Sequence, residues 1–372
     1  MLNVLNVLNV LNVLKQEYKL PLGIVAVLFF KLIGDNLLTG ELSQFAYIMI
    51  TAVLFYAVMS AIFSVVRHSD ALAIKLGDPY GTLILTLSVV LLEVIMVSSV
   101  MLTGESNPFL ARDTMFAVVM AVLNGFVGIT LLIGGMKYHT QTYNLDGIKA
   151  YLVAIIPLSL LCLVLPNFTS MDSLGNMSTS LTWTLVLASI ALYAVFLFIQ
   201  TRSHTAYFID GDNEDQHEHH GPLHSNLFHT IMLVSYLVVV ILLAKSLAIP
   251  INDGITEMGA PAALGGLIVA LIILAPEAVG AVKAAVTNQL QRAMNLFFGS
   301  VLATIALTVP AVLLISGVMN EPIQLGLAPA EMVLLGATLL MTSVSFSSGR
   351  TNSLNGATHL ILFFAYIILM FD

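Results

Sequence analysis

The chain has 372 residues, 58% of them hydrophobic and 9% charged, with a formal net charge of -8 and a mean hydropathy of +0.97. A soluble chain carries about 25% charged residues, so this composition excludes a soluble globular domain and indicates an all-α polytopic membrane protein. No basic stripe offers a surface for nucleic acid, and the lone Cys162 excludes an intrachain disulfide.

Residues 1–18 are low complexity: Leu-Asn-Val runs four times from Leu2 to Val13, and a period of three matches neither a helix nor a strand face. No secretory signal with a small-residue cleavage site is visible there. Eleven apolar segments follow that reach, or nearly reach, the length needed to span about 30 Å of hydrocarbon. They lie near 19–38, 42–66, 79–102, 113–136, 147–166, 181–201, 227–249, 260–281, 294–318, 328–346 and 354–371. Pro21, Lys31 and Asp35 interrupt the first. The expected organisation is an extra first helix and loop (19–41), a five-helix repeat (42–201), an acidic and histidine-rich loop (202–226) and a second five-helix repeat (227–372).

Lys and Arg set the orientation. Numbering the sides alternately puts ten of these residues on the N-terminal side and three, Lys31, Arg112 and Lys245, on the other. The N-terminus and the loop are therefore expected in the cytoplasm and the C-terminus outside.

The third and eighth segments read alike at a constant offset of 184. Gly81 matches Gly265, Leu83 matches Leu267, Ile84 matches Ile268, Leu87 matches Leu271 and Glu93 matches Glu277. The two segments are five spans apart, so they run in opposite directions and the repeat is inverted. A carboxylate in the middle of a membrane helix costs about 2.5 kcal/mol or more. The same cost at the same place in two halves suggests a shared task, and repeats with binding groups near the midplane are a transporter signature. No Lys or Arg lies mid-span to neutralise either glutamate.

Thr82, Thr86 and Glu93 share one helical face, with Asp78 and Pro79 reading as N-cap and first turn of that helix. Pro276, just before Glu277, removes a backbone donor and is expected to kink or break its helix, freeing a carbonyl. Carboxylate, hydroxyl and carbonyl oxygens suit hard cations such as Ca²⁺, Mg²⁺ or Na⁺. Without a cation, a buried carboxylate is expected to take a proton, so each site would hold one or the other. Ser88, Asn124, Ser300 and Thr304 are further candidate ligands, and Asn124 and Thr130 hold places in the fourth span comparable to those of Gly299-Ser300 and Thr304 in the span after Glu277. Such groups singly are more often helix-packing hydrogen bonds. Gly125 and Gly299 read as points of close helix contact.

The long polar insertion holds Asp210, Asp212, Glu214, Asp215 and Glu218 with His217, His219, His220 and His224. Histidine titrates near pH 6.5 in its unperturbed state, so this candidate regulatory loop changes charge in the physiological range. A flexible linker between the halves is the plainer reading, given Gly211, Gly221 and Pro222.

Four strings carry a family resemblance: Phe63 to His68, Gly77 to Ser88 with Glu93, Asn288 to Thr304, and Gly349 to Gly356. Through them, and over nearly all of residues 60–372, the chain resembles the calcium/cation antiporter superfamily, in particular its ChaA branch of bacterial sodium-potassium-calcium/proton antiporters. The resemblance implies an inner-membrane, multi-pass protein of about eleven helices that needs no cofactor. Its partners would be the transported ions Ca²⁺, Na⁺, K⁺ and H⁺ within a lipid bilayer. The family's cation-binding acids fall on Glu93 and Glu277, and its second-repeat serine on Ser300. The Gly-Asn-Ala-x-Glu strings of the vacuolar calcium/proton exchangers are replaced here by Val89 to Glu93 and Ile273 to Glu277. The missing asparagine oxygens leave room for Na⁺ or K⁺.

The expected function is thus cation/proton antiport by alternating access. A passive cation channel lined by the same glutamates is the alternative. An intramembrane enzyme is disfavoured, because neither a His-Glu-x-x-His helix nor a Gly-x-Ser-x-Gly turn occurs.

Overall fold

The computed structural model describes residues 17–40, 42–76, 80–103, 108–169, 177–208, 224–261, 263–319 and 323–371. These residues are overwhelmingly helical. Helix α1 (Lys19–Phe29) continues through a wide π turn (Phe30–Gly34) into a last short turn. Then come α2 (Gln44–Leu76), α3 (Tyr80–Thr103), α4 (Leu110–Tyr138), α5 (Leu145–Leu163) and α6 (Thr179–Phe198). The second half contains α7 (Asn226–Glu257), α8 (Ala263–Val286), α9 (Leu290–Gly317), α10 (Pro329–Ser345) and α11 (Ser353–Met370).

Among the described residues, eight of these helices are long and apolar enough to cross a membrane: α2, α4, α5, α6, α7, α8, α9 and α11. Among the described residues, Leu87–Ser98 of α3 and the whole of α10 (Pro329–Ser345) are shorter apolar helices. Large apolar side chains stand exposed on the outer helices, including Phe45 and Ile48 on α2, Leu187 on α6 and Ile368 on α11. Such a surface would aggregate in water and is what a hydrocarbon solvent requires.

Local chemistry sets the helix ends. The Asn144 side chain accepts from the Asp146 and Gly147 amides to start α5, Ser225 accepts from Phe228 to start α7, and Asn352 accepts from Leu354 and Asn355 to start α11. Each satisfies amide donors that the first helical turn leaves without a partner. A two-residue antiparallel pair, β1 (Gln141–Thr142) with β2 (Arg350–Thr351), ties the α4–α5 turn to the α10–α11 turn.

The apolar interior falls into two clusters. One joins α1, α2 and α7. The other holds most of α4, α5, α6 and α9, with contributions from α10 and α11. Both clusters draw residues from α3 and α8, so the two helices that carry Glu93 and Glu277 lie along the seam.

Three expectations are corrected or refined. Helix α8 runs unbroken through Pro276; neighbouring helices hold it in place, and the proline costs only its own backbone donor. Irregularity appears instead as π turns at Ala121–Phe126 in α4 and Thr304–Thr308 in α9. Gly125 and Gly299 are not the tight helix crossings either. A Cβ on Gly356 of α11 would sit 2.4 Å from the Leu132 amide of α4, and one on Gly266 of α8 would sit 2.9 Å from the Thr114 amide. Those small residues are what let the backbones approach.

Candidate cation and proton site

Glu93 lies on α3 and is 2% exposed. Its Oε2 accepts from Thr304 Oγ1 at 2.7 Å, whereas its buried Oε1 has no partner. Glu277, on α8, is half-buried, and its buried Oε2 is also unpartnered. Ser300 stands beside Glu277 and Thr308 beside Glu93, yet neither hydroxyl meets the geometry of a hydrogen bond. Ser300, Thr304 and Thr308 are spaced i, i+4 and i+8, so α9 presents one hydroxyl face to both acids. The Thr304–Thr308 segment is the π turn of that helix, and such wide turns recur at functional positions.

An unmade hydrogen bond on a buried polar atom costs about 1–3 kcal/mol. Here four such oxygens, Glu93 Oε1, Glu277 Oε2, Ser300 Oγ and Thr308 Oγ1, meet around two carboxylates. Their chemistry is that of a hard-cation donor set. Glu277 also lies within the electrostatic reach of Glu93 and of Asp70 on α2. Asp70 in turn feels the charge of Arg292. The sequence reading passed over Asp70, which falls between the second and third apolar segments and comes within reach of Glu277 because α2 runs on unbroken to Leu76.

Other expected ligands are placed elsewhere. Ser88 donates to the Ile84 carbonyl at 2.7 Å and accepts from Ser69 Oγ at 3.3 Å, so it joins α3 to α2. Asn124 is committed to a buried network: its amide donates to Thr338 Oγ1 at 2.8 Å, its oxygen lies 3.2 Å from His359 Nδ1, and His359 Nε2 lies 3.1 Å from Ser345 Oγ. That is a helix-packing role joining α4 to α10 and α11. Thr130 is fully buried on α4 with its hydroxyl unpartnered. The side chains of Thr82 and Thr86 lie outside the described residues, as do Asp78, Pro79, the Leu-Asn-Val repeat, and Asp210, Asp212, Glu214, Asp215, His217, Glu218, His219 and His220. His224 is described, at the start of α7, where its ring packs 4.5 Å from that of Phe228. His359 escaped the sequence reading, although an ionisable residue within an apolar span is a signal in itself.

The chain is similar to several known proteins. The sodium/calcium exchanger protein family matches residues 45–202 and 228–371, on either side of the polar loop. The sodium-potassium/proton antiporter ChaA of Escherichia coli (strain K12) is 49% identical over 84% of this chain and 86% of its own length. The Ca²⁺/H⁺ antiporter ChaA of Bacillus subtilis (strain 168) is 26% identical over 70% of this chain and 76% of its own. Among solved structures, native YfkE superposes with a TM-score of 0.70 at 19% identity, covering 95% of this chain and 98% of its own. The H⁺/Ca²⁺ exchanger CAX gives 0.64 at 13% identity, covering 95% and 88%. The chain belongs to the sodium/calcium exchanger protein family, within the calcium/cation antiporter superfamily and on its ChaA-like side.

Proposed function

We propose that the protein is a secondary active transporter of the bacterial inner membrane that exchanges cytoplasmic cations, Ca²⁺, Na⁺ or K⁺, for external protons. The observation that carries this reading is the cluster of four buried, unpartnered oxygens around Glu93 and Glu277. A cation brought there satisfies those oxygens and offsets two neighbouring carboxylates. Protons satisfy the same carboxylates by neutralising them. The site therefore has two filled states and an unfavourable empty one, which is the requirement for obligatory exchange.

Alternating access follows from the position of α3 and α8 on the seam between two apolar bodies. Sliding one body against the other exposes the carboxylates to opposite sides in turn. One extra first helix and two inverted five-helix repeats, eleven spans with the N-terminus in the cytoplasm, complete the arrangement. The names of the relatives, a sodium-potassium/proton antiporter and Ca²⁺/H⁺ antiporters, support the same exchange.

The test is cation-dependent proton flux in everted vesicles, run separately with Ca²⁺, Na⁺ and K⁺. Glu93→Gln and Glu277→Gln each keep the side-chain size and remove the titratable charge. Both are expected to abolish coupled flux while membrane yield stays normal. Near-normal flux in either variant would remove that glutamate from the site.

A further inference from the structure

A second titratable cluster lies away from the transport carboxylates. His68, near the end of α2, and His229, in the first turn of α7, are 2% and 4% exposed, and their Nδ1 atoms are 3.0 Å apart. One ring must donate and the other accept. The opposite edge of His68 meets two charges: its Nε2 lies 3.1 Å from Arg67 Nη2 and 3.4 Å from Glu17 Oε2. Glu17 precedes α1, and its Oε2 also accepts from Arg67 Nη2 at 2.5 Å and from the Tyr236 hydroxyl of α7 at 3.0 Å. Tyr236 stacks on the His68 ring, Phe228 packs against its edge, and the His224 ring lies 6.2 Å from that of His229. Lys75 donates to the His224 carbonyl. Three separate stretches of chain thus converge on two imidazoles.

We infer that the His68–His229 pair is a proton-operated latch that holds α1, α2 and α7 together at their cytoplasmic end. With His68 Nε2 accepting from Arg67, its Nδ1–H donates to His229 Nδ1. A first added proton on His68 Nε2 ends its bond from Arg67, but it is accommodated: Nε2–H turns to the Glu17 carboxylate, whose Oε2 lies 3.4 Å away, and Arg67 keeps its own bond to that oxygen. A second added proton places an N–H on both Nδ1 atoms. At 3.0 Å two donors cannot bond, and two cationic rings repel. The latch is closed while the pair holds at most one added proton and opens when cytoplasmic acidification adds the second. Opening frees the ends of α2 and α7 beside the pair, while the apolar cluster still joins the rest of the two helices, and maximal exchange falls. That last effect rests on the transport reading; the latch itself does not.

The experiment has two arms on the full chain. Hydrogen exchange of segments 64–72 and 224–236, corrected for intrinsic rates, is compared at about pH 8 and about pH 6, a window that brackets histidine titration. The wild type is expected to lose protection at the lower pH. His229→Asn, whose amide can either donate or accept, is expected to keep the same protection at both, and His68→Gln serves as the independent check. Wild-type protection that ignores pH, or variants that retain the wild-type response, overturns the latch. The second arm measures flux at saturating cation, where competition at the glutamates is suppressed. The wild-type maximal rate should fall at least about fivefold on cytoplasmic acidification, while His229→Asn stays within about twofold. Equal pH profiles in the two proteins overturn the coupling to exchange. Should the wild type exchange nothing, the protection data still decide the latch.

Discussion

Helices α4 and α9 each follow a glutamate-bearing helix in the chain, and both are interrupted by a π turn at nearly the same point on the 184-residue offset. At the offset of 184 that aligns Glu93 with Glu277, the hydroxyl face Ser300, Thr304 and Thr308 of α9 corresponds to Phe116, Met120 and Asn124 of α4. The backbone irregularity is shared and the chemistry is not. All three hydroxyls of α9 stand at the carboxylates. On α4, Phe116 and Met120 are buried, and Asn124 turns outward to Thr338 and His359. The two halves of the chain therefore supply two acids but one set of hydroxyls. Under the proposed function the site is a single asymmetric one, loaded on the second half.

This contrast can be broken most directly at Thr304. Its hydroxyl donates to Glu93 at 2.7 Å, and a hydrogen bond to a charged group contributes about 1.5–3 kcal/mol. Thr304→Val should weaken apparent cation affinity about ten- to a hundredfold, read as the half-saturating cation concentration in the flux assay. An unchanged value would mean that α9 does not line the site. Asn124→Ala should behave in the opposite way. It leaves His359 and Thr338 with unmade bonds, at a cost of about 1–3 kcal/mol, so thermal stability falls while cation affinity holds. A large affinity loss without a stability loss would put α4 in the site after all. Met120→Leu conserves volume and should cost less than about 1.5 kcal/mol in stability, with flux unaltered.

Glu17 gives the smallest and most selective test, because its acid is fully partnered where Glu93 and Glu277 are not. Burial pushes its carboxyl up, but the His68 contact, the Arg67 charge and the Tyr236 hydroxyl outweigh burial and hold it at about 2. A depressed folded-state value contributes stability above the unfolded value of 4.5 and loses it as pH falls toward about 2. Glu17→Gln should therefore lower the melting temperature at neutral pH, and the gap from wild type should close progressively below 4.5. A gap of constant size down to acid pH would show that the carboxylate charge plays no part.

The helices were legible because each span is a long apolar run, and the paired acids were legible because a charge in such a run is costly wherever it falls. Of the residues expected as supporting ligands, Ser300 and Thr304 stand beside the glutamates, whereas Asn124 and Ser88 are bonded to other neighbours. A polar side chain on an apolar helix does not state which neighbour it will meet. Thr308 and Asp70 were missed for the same reason. The π turns were invisible, since no residue type demands one, while Pro276 announced a break that the neighbouring helices suppress. The His68–His229 contact joins residues 161 positions apart and could be found only in three dimensions.

The β1–β2 pair has a mechanical consequence. Two residues on each strand staple the turn after α4 to the turn before α11, and Gly128 and Gly356 bring those same helices into close contact further along. Helices α4 and α11 are thus joined at a strap and at a pivot point. Any hinge motion that carries α4 must drag the last helix with it, although 235 positions separate Asn124 from His359. The C-terminal helix is ballast of the core helix rather than an independent lipid-facing wall, and a label placed on it would report displacement of α4.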